Sequence, residues 1–450
     1  MGLTAALVLR HHGVEVVLAE RRRACSPQPK ARRLHVRSME VFRAIGLAGV
    51  VQEAARGLAG HDHMAVGRTL ADCARLPLFT GPVPPEISPE PPCLIAQDLL
   101  EPVLRDAAAA AGADVRFDAE VTWADEGPLL DGVPLQADHV IAADGARSPV
   151  RERLGITRSG PGAVGDPSVN VYFLADLADV VRGREFNLCQ IEHPDAGGVL
   201  ASVDGRRRWV FMTGGGPSGR DWPALLRTAL GVPAPDLDVL SVLPWQAESL
   251  VADRFSDGRV HLAGDAAHVM PPWAAMGANT GIADVHTLGW MLAAVLCHDA
   301  DPGLLAAYDR ERRPCAAFVA DQSTRRTQSL RDRTAPDPSL ADPFVLATQG
   351  FQLLTGAVRP DAPDPEPVTQ FAPSGRVGVR VPHRRLDDGR SSLDLAGPGW
   401  AVVTATPELD FLDPGEVLLL RPDGIVAWRG TDTAQASRVR ADLLHSGRHA

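Results

Sequence analysis

The residues best suited to chemistry lie in one stretch, GRVHLAGDAAHVMPPWAAMGANTGIADVHTLGW, which spans Gly258 to Trp290. A predicted strand ends at Gly264-Asp265, where the glycine lets a ligand approach the backbone and the carboxylate can accept hydrogen bonds from polyol hydroxyls. A loop rich in Pro, Ala and Gly follows, and we expect a helix to begin near residues 279–281. Because the N-terminus of a helix carries free N–H groups and a partial positive charge, it can stabilise an anion. We interpret His268 as a capping or core histidine rather than a catalytic base.

The opening stretch, MGLTAALVLRHHGVEVVLAE, carries a second and weaker signal. Gly2 precedes a predicted helix, and Glu20 ends the predicted strand that follows. This interval matches a dinucleotide fingerprint, in which the third glycine permits close helix–strand packing and the acid accepts a ribose hydroxyl. A generic helix–strand pair with an acidic end would give the same pattern.

The third signal is VIAADGARSPVRERLG, which spans Val140 to Gly155. A predicted strand runs into Asp144-Gly145, and Arg147 and Arg151 follow. Taken alone, the stretch reads as a strand, a turn and the solvated basic start of a helix.

The elements that must position these residues alternate between helix and strand in the first part of the chain. In chain order we predict helix Leu3–Arg10, strand Val14–Ala19, helix Val36–Ile45, helix Asp98–Ala111, strand Val115–Val121 and strand His139–Ala143. Asp98 and Glu101 have capping-box spacing at the start of their helix. The alternation predicts an α/β fold with a parallel sheet and helices packed on it.

The pattern changes between Val169 and Thr213, where strands follow one another with few helices. Asp204-Gly205 lies between two of them and predicts a hairpin. We therefore expect an antiparallel sheet inserted into the α/β domain. Such a sheet can form the wall of a substrate pocket, although an ordinary covering sheet would have the same sequence pattern.

Helical periodicity returns from Gly281 to Leu296 and around Leu304–Gln322. Two Pro/Asp-rich stretches at residues 334–343 and 359–375 predict linkers or solvated loops. A small domain of strand, hairpin and helix is expected beyond residue 375, with its turn at Pro422–Gly424.

The composition excludes several classes of protein. A chain of 450 residues is expected to form two or three domains, and its net charge of -11 argues against a nucleic-acid partner. Six scattered cysteines show neither C-x-x-C nor metal-ligand spacing, which favours the reduced cytoplasm and predicts no metal site. The longest apolar runs are too short for a membrane span, so no membrane association is expected.

In their order along the chain, the three segments resemble the flavoprotein aromatic hydroxylases of the para-hydroxybenzoate hydroxylase type, particularly the bacterial aromatic-polyketide hydroxylases. The resemblance runs from Gly2 to about Arg313, and KARRLHVRSMEVFRAIGL supports it. The tail from about Gly375 resembles the thioredoxin-like C-terminal domain of this subgroup, but it lacks C-x-x-C, so thiol redox chemistry is not expected there.

The resemblance implies a Rossmann-like FAD-binding domain whose first strand is missing, an inserted antiparallel substrate-binding sheet and a thioredoxin-like C-terminal domain. The implied boundaries are 1–60, 94–158 and 255–325 for FAD binding, 61–93 and 159–254 for substrate binding, 326–374 for a helical or linker region and 375–450 for the thioredoxin-like domain.

The resemblance also implies which residues contact the cofactor. Glu20 would bind the adenosine ribose of FAD, Asp265 would hold the ribitol chain, and the backbone of residues 276–280 would cradle the flavin pyrimidine edge. Asp144 would act indirectly, by ordering the backbone near FAD and NADPH. The complete cofactor set is Gly2, Glu20, Arg21, Arg32, Arg33, Gln97, Asp144, Gly145, Gly264, Asp265, Pro272, Gly277, Ala278, Asn279 and Thr280.

Three further residues are candidates for packing against the substrate or the flavin, namely Trp245, Trp273 and Met276, with core packing as the alternative for each. The sequence departs from the family here, because Ala274, Ala275 and Met276 stand where relatives often carry Gly-Gly-Gln. The shape of the flavin pocket is therefore expected to differ in detail.

The implied reaction is an FAD-dependent monooxygenation. NAD(P)H reduces FAD, O2 adds to form a flavin hydroperoxide, and one oxygen atom enters an electron-rich polycyclic, polyketide-type ring as water leaves. The family uses no metal and no side-chain nucleophile, so no catalytic residue is assigned. The implied partners are a small aromatic substrate and O2, and the implied assembly is a monomer or homodimer.

Several alternatives stay open. A Baeyer–Villiger or epoxidising enzyme would share the scaffold, and a non-catalytic flavin-fold protein would share most of the motifs. A flavin halogenase fits less well because the chain has no W-x-W-x-I-P stretch, and a plain nucleotide-binding module does not explain the inserted sheet.

The family begins with a strand and a G-x-G-x-x-G turn, of which this sequence holds only the third glycine, Gly2. We expect the true start of the protein to lie upstream. For a chain that begins at Met1, we expect weak FAD binding, poor folding and two strands that lack a shared neighbour.

Overall fold

The computed structural model describes residues 1–76, 83–124, 127–234, 236–332, 337–360 and 368–445. Its helices are α1 (Gly2–His11), α2 (Val36–Ala44), α3 (Ala48–Ala54), α4 (Gln97–Ala110), α5 (Pro149–Arg153), α6 (Ala178–Val181), α7 (Trp222–Leu230), α8 (Met276–Cys297), α9 (Ala306–Asp332), α10 (Pro343–Thr348) and α11 (Thr433–Leu444). Short 3₁₀ turns occur at Arg56–Leu58, Gly264–Ala266, Trp273–Ala275, Pro302–Leu305 and Ser392–Asp394.

The strands in the same residues fall into several separate sheets. They are β1 (Val17–Glu20), β2 (Arg33–Leu34), β3 (Met64–Gly67), β4 (Ala74–Arg75), β5 (Cys93–Leu94), β6 (Asp114–Phe117), β7 (Val121–Ala124), β8 (Gly127–Leu130), β9 (Val133–Pro134), β10 (Val140–Ala142), β11 (Arg158–Leu174), β12 (Leu188–Ile191), β13 (Gly198–Ser202), β14 (Arg208–Gly214), β15 (Asp238–Ala252), β16 (Ser256–Asp257), β17 (Val260–Leu262), β18 (His268–Val269), β19 (Ala401–Thr404), β20 (Val417–Leu420) and β21 (Val426–Gly430).

The parallel strands of the α/β part form two sheets. The helix–strand alternation predicted one sheet, whereas the missing first strand predicted two strands without a shared neighbour. β1 pairs with β6, and β10 pairs with β17, which also holds the antiparallel β16. In the described residues no strand joins the two sheets. Helix α1 packs closely on α8, since a Cβ at Gly289 would lie 2.5 Å from Val8 Cγ1.

The predicted strand Val115–Val121 is two elements. β6 ends at Phe117, and Val121 begins β7 of a small antiparallel sheet with β8 and β9 that the sequence did not predict. The predicted helix at Asp98–Ala111 is confirmed as α4, but its capping box is wrong. The N-cap is Ala96 without a side-chain bond, because Asp98 forms an ion pair with Arg208 and Glu101 accepts hydrogen bonds from Ser26 and Gln97.

Helix α8 begins at Met276, a few residues before the predicted start at 279–281. Its N-cap, Ala275, has a left-handed backbone with φ of 56°, a conformation that costs a residue with a Cβ about 1 to 2 kcal/mol. The helix is long and apolar enough to cross a membrane, and within the described residues it is the one helix of that kind, but most of it is buried inside the protein.

The large sheet has the strand order β18-β15-β11-β14-β13-β12-β3-β4 in the described residues. It is antiparallel except for the β12–β3 pair, so the predicted antiparallel sheet is present. The hairpin at Asp204-Gly205 is confirmed between β13 and β14, where Asp204 Oδ1 accepts the N–H groups of residues 206–208. Helix α7 covers one face of this sheet through an apolar cluster that includes Phe173, Phe211 and Leu226.

The C-terminal part contains the antiparallel sheet β19-β20-β21, on which α11 packs. The predicted turn at Pro422–Gly424 is confirmed between β20 and β21. Parts of the two predicted linkers, residues 334–336 and 361–367, lie outside the described residues, as do residues 77–82 of the predicted substrate-binding range.

Candidate active site

The N-terminus of α1 lies close to three carboxylates that are far apart in sequence. The N–H of Ala5 donates to Met1 O at 2.9 Å, so the N–H groups of residues 2–4 have no partner within the helix. Burial lowers the pKa of the Met1 amino group below its ordinary value, and the nearby carboxylates of Glu101, Asp265 and Glu20 oppose this shift only in part. The structure thus brings Glu20, Glu101 and Asp265 close to the start of α1, beside Gly2.

A narrow crevice beside this helix end requires glycine. The Met1 side chain lies between Gly264 and Gly281, where added Cβ atoms would stand 2.5 Å from its Cγ and 2.9 Å from its Sδ. Gly264 also has a left-handed φ of 62°. Asp265, the next residue, is exposed, and its carboxylate makes no hydrogen bond within the described part of the chain. It therefore keeps its acceptor sites for a ligand.

Asp284 fixes the turn that carries Asp265. Its carboxylate accepts hydrogen bonds from Gly264 N at 3.2 Å, His268 Nε2 at 2.6 Å and Arg312 Nε at 2.9 Å. Burial would raise the pKa of Asp284, but His268 and Arg312 hold it below its ordinary value. His268 is completely buried in this cluster, which confirms its interpretation as a core histidine.

The Asp144-Gly145 turn and the Gly264–Ala266 turn are joined by one arginine. Asp144 accepts the N–H of Val150 at 3.2 Å, and Gly145 has φ of 87°. Arg151, which is buried, donates to Ala146 O at 3.1 Å and to Ala266 O at 3.0 Å. The two motifs therefore form one continuous wall of the site.

The N-terminus of α8 is a second end with free N–H groups. Because the helix begins at Met276, these groups belong to Met276, Gly277 and Ala278, near Pro272, whereas the N–H groups of Asn279 and Thr280 lie in the following turn. The predicted backbone cradle at residues 276–280 stays a prediction, with its free N–H groups in the first three of these residues. The Thr280 hydroxyl donates to Met276 O at 2.9 Å and is buried.

The Asn279 side chain is fully occupied by protein groups. Its Oδ1 accepts from His35 N at 2.8 Å and Ser38 Oγ at 2.6 Å, and its Nδ2 donates to Arg33 O at 3.0 Å and Ala275 O at 2.8 Å. An amide can make four such bonds, so none remains for a ligand. Asn279 instead joins the segment before α2 to the left-handed Ala275.

The predicted arginines lie next to β1 or in and before β2, and Gln97 is the first residue of α4. Arg32 is tied to Ser202 O and Asn187, and burial lowers its pKa to about 10. Burial also lowers the pKa of Arg33, although Asp62 opposes the shift. Gln97 Nε2 donates to Glu101 Oε1 at 2.6 Å, and the Gln97 carbonyl oxygen makes no hydrogen bond to the residues that the structure describes. Arg21 is exposed directly after Glu20.

The three proposed packing residues separate into different environments. Met276 is fully buried in an apolar cluster with Cys315 and Val319, which supports core packing, one of its two predicted alternatives. The Trp273 ring lies under the Arg326 guanidinium at 4.8 Å. Trp245 on β15 donates its Nε1–H to Asn170 Oδ1 at 2.7 Å.

These elements suit a ligand with phosphates, several hydroxyls and a group that carries negative charge. Free N–H groups at α1 match phosphate oxygens, and Glu20 and Asp265 match hydroxyls. The α8 end matches a developing anion. This donor set fits FAD.

Comparisons with known proteins agree with this fit. The FAD binding domain family matches residues 1–323. Tetracenomycin B2 monooxygenase-dioxygenase of Streptomyces olivaceus is 35% identical over 96% of this chain and 94% of its own length. Aklavinone 12-hydroxylase DnrF of Streptomyces peucetius is 35% identical over 90% of this chain and 89% of its own. The solved ternary complex of aklavinone-11 hydroxylase with FAD and aklavinone superposes with a TM-score of 0.84 at 28% identity, covering 98% of this chain and 96% of that one.

The mixed α/β fold and the site therefore define an FAD-dependent monooxygenase. The chain belongs to the FAD binding domain family, and its relatives include the polyketide hydroxylases just named.

Sequence reasoning missed Asp284 and Glu101, which hold the predicted residues in place. A signal for Asp284 exists, since it is a lone carboxylate inside the apolar run of α8 and a buried charge there requires partners. Glu101 was noticed only as a capping residue.

Proposed function

We propose that this enzyme hydroxylates a polycyclic aromatic, polyketide-type substrate with FAD, NAD(P)H and O2. One observation carries the proposal. Glu20, Glu101 and Asp265 lie around the N-terminus of α1. The segment at 32–38 links the N-terminus of α8 to the large sheet. Relatives named for tetracenomycin and aklavinone support the substrate class.

In the proposed cofactor site, the N–H groups after Gly2 bind the pyrophosphate, Glu20 binds the adenosine ribose and Asp265 binds the ribitol. Arg21 and Gln97 lie beside these groups, and the Gly145 and Gly264 turns shape the wall. Pro272, Gly277 and Ala278 border the flavin ring. Four further residues have a positioning role, because the hydrogen bonds of their side chains or backbones hold the segments that line the flavin ring. These residues are Arg32, Arg33, Asn279 and Thr280.

When bound, FAD supplies the redox and oxygen chemistry of the reaction. The chain binds and orients it. The free N–H groups of Met276, Gly277 and Ala278 stabilise negative charge at the flavin pyrimidine edge. The large sheet and the segment at 32–38 exclude water from the ring that is hydroxylated. No side-chain nucleophile is required, and the substrate's own phenol supplies acid–base help.

We also propose the domain boundaries given by the resemblance, with a Rossmann-like FAD-binding domain, a substrate-binding sheet and a thioredoxin-like domain from residue 375. The β19-β20-β21 sheet and α11 support the last assignment. The final cysteine of the chain is Cys315, so this domain would have no thiol chemistry. The protein would act in the cytoplasm as a monomer or homodimer.

Baeyer–Villiger oxidation or epoxidation on the same scaffold is the second candidate, because the cofactor residues would be the same. A non-catalytic flavin protein is the third. Trp245 and Trp273 do not distinguish hydroxylation from the second candidate, because their packing would depend only on the shape of the substrate.

The proposal is tested by an assay of the purified protein with FAD, NADPH or NADH, and a panel of polycyclic polyketides that includes aklavinone. We expect NAD(P)H oxidation that depends on the substrate and a product heavier by one oxygen with the ring system intact. A ring-expanded lactone or an epoxide would favour the second candidate. Flavin binding without substrate-dependent NAD(P)H oxidation would favour the third.

A further inference from the structure

The large sheet has one covered face and one face with accessible side chains near the proposed flavin contacts. On β11, Val169 and Val171 are fully buried in the cluster beneath α7. Because side chains alternate along a strand, Ser168, Asn170 and Tyr172 point to the opposite face. The pairing of β11 with β14 is regular over these residues, so the alternation is not interrupted by a bulge. We call the opposite face the open face.

The FAD-binding part of the chain covers the open face around one cross-strand pair, Tyr172 on β11 and Ser241 on β15. Tyr172 packs against Ala96 and Leu99 at the start of α4, next to Gln97. Ser241 Oγ donates to Gln28 Oε1 at 3.2 Å, which places the segment before β2 over the same face of β15. Asn170 lies two residues along β11 from Tyr172, beside this covered region, and we call the part of the open face around Asn170 the strip.

The neighbours of Asn170 on the open face are largely apolar. In the register of the sheet, Asn170 lies opposite Leu243 on β15 and opposite Met212 on β14. The Leu243 side chain is 38% exposed, and Met212 is partly buried. Trp245, two residues along β15 from Leu243, lies diagonally across from Asn170 on the same face. The strip therefore offers an apolar surface with one amide at its centre.

The orientation of this amide is determined by its partner. The indole of Trp245 donates its Nε1–H at 2.7 Å, and an indole nitrogen can only donate. The atom of Asn170 that faces it must therefore be the carbonyl oxygen, and the NH2 group must point the other way. The Asn170 Nδ2 has no hydrogen bond within the described residues, nor is it among the buried polar atoms that lack a partner. It is an accessible donor.

We propose that Asn170 is a specificity-determining residue that donates a hydrogen bond from Nδ2 to a carbonyl or phenolate oxygen of a planar aromatic substrate. The substrate rings lie on Leu243 and Met212, and Trp245 fixes the amide in the donating orientation. This inference rests on the proposed function and deepens it, because it selects polycyclic rings that carry an oxygen acceptor over plain hydrocarbons. A site built to hydrogen-bond an oxygen discriminates strongly against an analogue that lacks it.

The test compares Asn170→Asp with the wild-type holoenzyme. Aspartate keeps an acceptor for Trp245 but places an oxygen where the donor was. The probes are aklavinone, a dihydroxyanthraquinone and anthracene, the last a ring skeleton without oxygen. We expect Asn170→Asp to weaken binding of both oxygenated probes at least about tenfold, and to change anthracene binding less than about twofold. FAD content and the melting temperature of the flavin-free protein should stay unchanged.

Trp245→Phe is the second variant, because it keeps Asn170 and removes only the group that orients it. We expect a smaller loss for the oxygenated probes, about two- to fivefold, since the freed amide can turn. Leu240→Ala is the matched control, an exposed apolar residue of the same strand that lies at the bulge next to Tyr172, and it should leave all probes unchanged.

Equal weakening of all three probes by Asn170→Asp would overturn the inference, because it would indicate a general change of the sheet. Unchanged binding of the oxygenated probes would overturn it as well. If the wild-type holoenzyme bound none of the probes and oxidised NAD(P)H with no polycyclic substrate, the proposed function itself would fail, which is a distinct result.

Discussion

At the scale of single residues, Asp265 and Asp284 show how one side-chain type serves two purposes at the same turn. Asp284 is completely buried, and its carboxylate is saturated by Gly264, His268 and Arg312. Asp265 is exposed and makes no hydrogen bond within the described residues. The first holds the turn, and the second is available to a hydroxylated ligand.

We predict that Asp265→Asn weakens FAD binding about 10- to 100-fold, because a hydrogen bond to a charged acceptor contributes about 1.5 to 3 kcal/mol. Titration of the flavin-free protein with FAD, followed by flavin fluorescence, measures the effect. Asp257→Asn is the control, since Asp257 forms only a surface ion pair with Arg254. Equal FAD affinity in the two variants would contradict the assignment of Asp265.

Among the site residues, those predicted best were the ones whose role follows from a local pattern. Gly2, Glu20 and Asp265 follow from the spacing of glycine and acid around a strand and a helix, and the structure brings them together. Asn279 was assigned to the cofactor by the family resemblance, and in the structure its side-chain amide is bonded to protein groups. Its real partners, His35 and Ser38, lie more than 200 residues away in sequence, so no local pattern could reveal them.

At the scale of elements, α8 depends on contacts from both ends of the chain. Its N-cap is held by Asn279 and the segment before α2. Its middle is held by the C-terminal part, where Asp423 Oδ2 accepts from Thr287 Oγ1 at 3.2 Å and Trp290 Nε1 at 3.1 Å. The helix end proposed to face the flavin is thus stabilised by residues remote from it.

The C-terminal part is also joined to α9 by a fully buried ion pair. Arg421 donates to both carboxylate oxygens of Glu311 at 2.8 and 2.9 Å and lies 5.0 Å from the Trp290 ring centre. Burial would raise the pKa of Glu311, and Arg421 counteracts that shift only in part. Loss of the arginine would leave Glu311 and Asp423 buried without their main partner.

We predict that Arg421→Met lowers the free energy of unfolding by about 3 to 5 kcal/mol, the cost typical of breaking a buried pair from one side. Urea denaturation of the flavin-free protein measures it. Arg438→Met removes an exposed arginine that pairs with Asp432 at the surface, and it should change stability by less than about 1 kcal/mol. Similar losses of unfolding free energy in both variants would show that the buried ion pair contributes no more to stability than the surface ion pair does.

Elements with a local signature were predictable from the sequence. The hairpins at Asp204-Gly205 and Pro422–Gly424 follow from turn residues between apolar runs, and both are present. The sequence predicted two strands without a shared neighbour, and the parallel strands form two separate sheets in the described residues. Which strands pair with each other could not be predicted, because the partners are distant in sequence. The left-handed backbone of Ala275 could not be predicted either, because alanine is not a residue type that indicates a positive φ.

At the scale of the whole molecule, several histidines are buried in the neutral form. Burial lowers the pKa of His261 to about 4, with His139 adding to the shift. Burial also lowers the pKa of His286 to about 3, with Arg37 adding to it. Both values lie below the ordinary value of 6.5, so the unfolded chain binds protons at a higher pH than the folded protein does.

We predict that the contribution of these histidines to the free energy of unfolding is constant above about pH 6.5. As the pH drops toward about 4, the free energy of unfolding should fall by up to about 1.4 kcal/mol per pH unit for each histidine. The free energy of unfolding measured between pH 7.5 and 5 should show this slope. His261→Gln should reduce the slope. A slope that is the same in the variant and the wild-type protein would refute this explanation.

The central claim, that this chain is an FAD-dependent enzyme that adds one atom of O2 to a polycyclic aromatic ring, is tested most directly by isotope labelling. The holoenzyme is incubated with NADPH and aklavinone, or another polycyclic polyketide that it oxidises, under ¹⁸O2, and the product is analysed by mass spectrometry. The account predicts a hydroxylated product with a single ¹⁸O atom, formed only when FAD and the reduced nicotinamide are both present. A product whose new oxygen comes from water, or NADPH consumption with no labelled product, would contradict it.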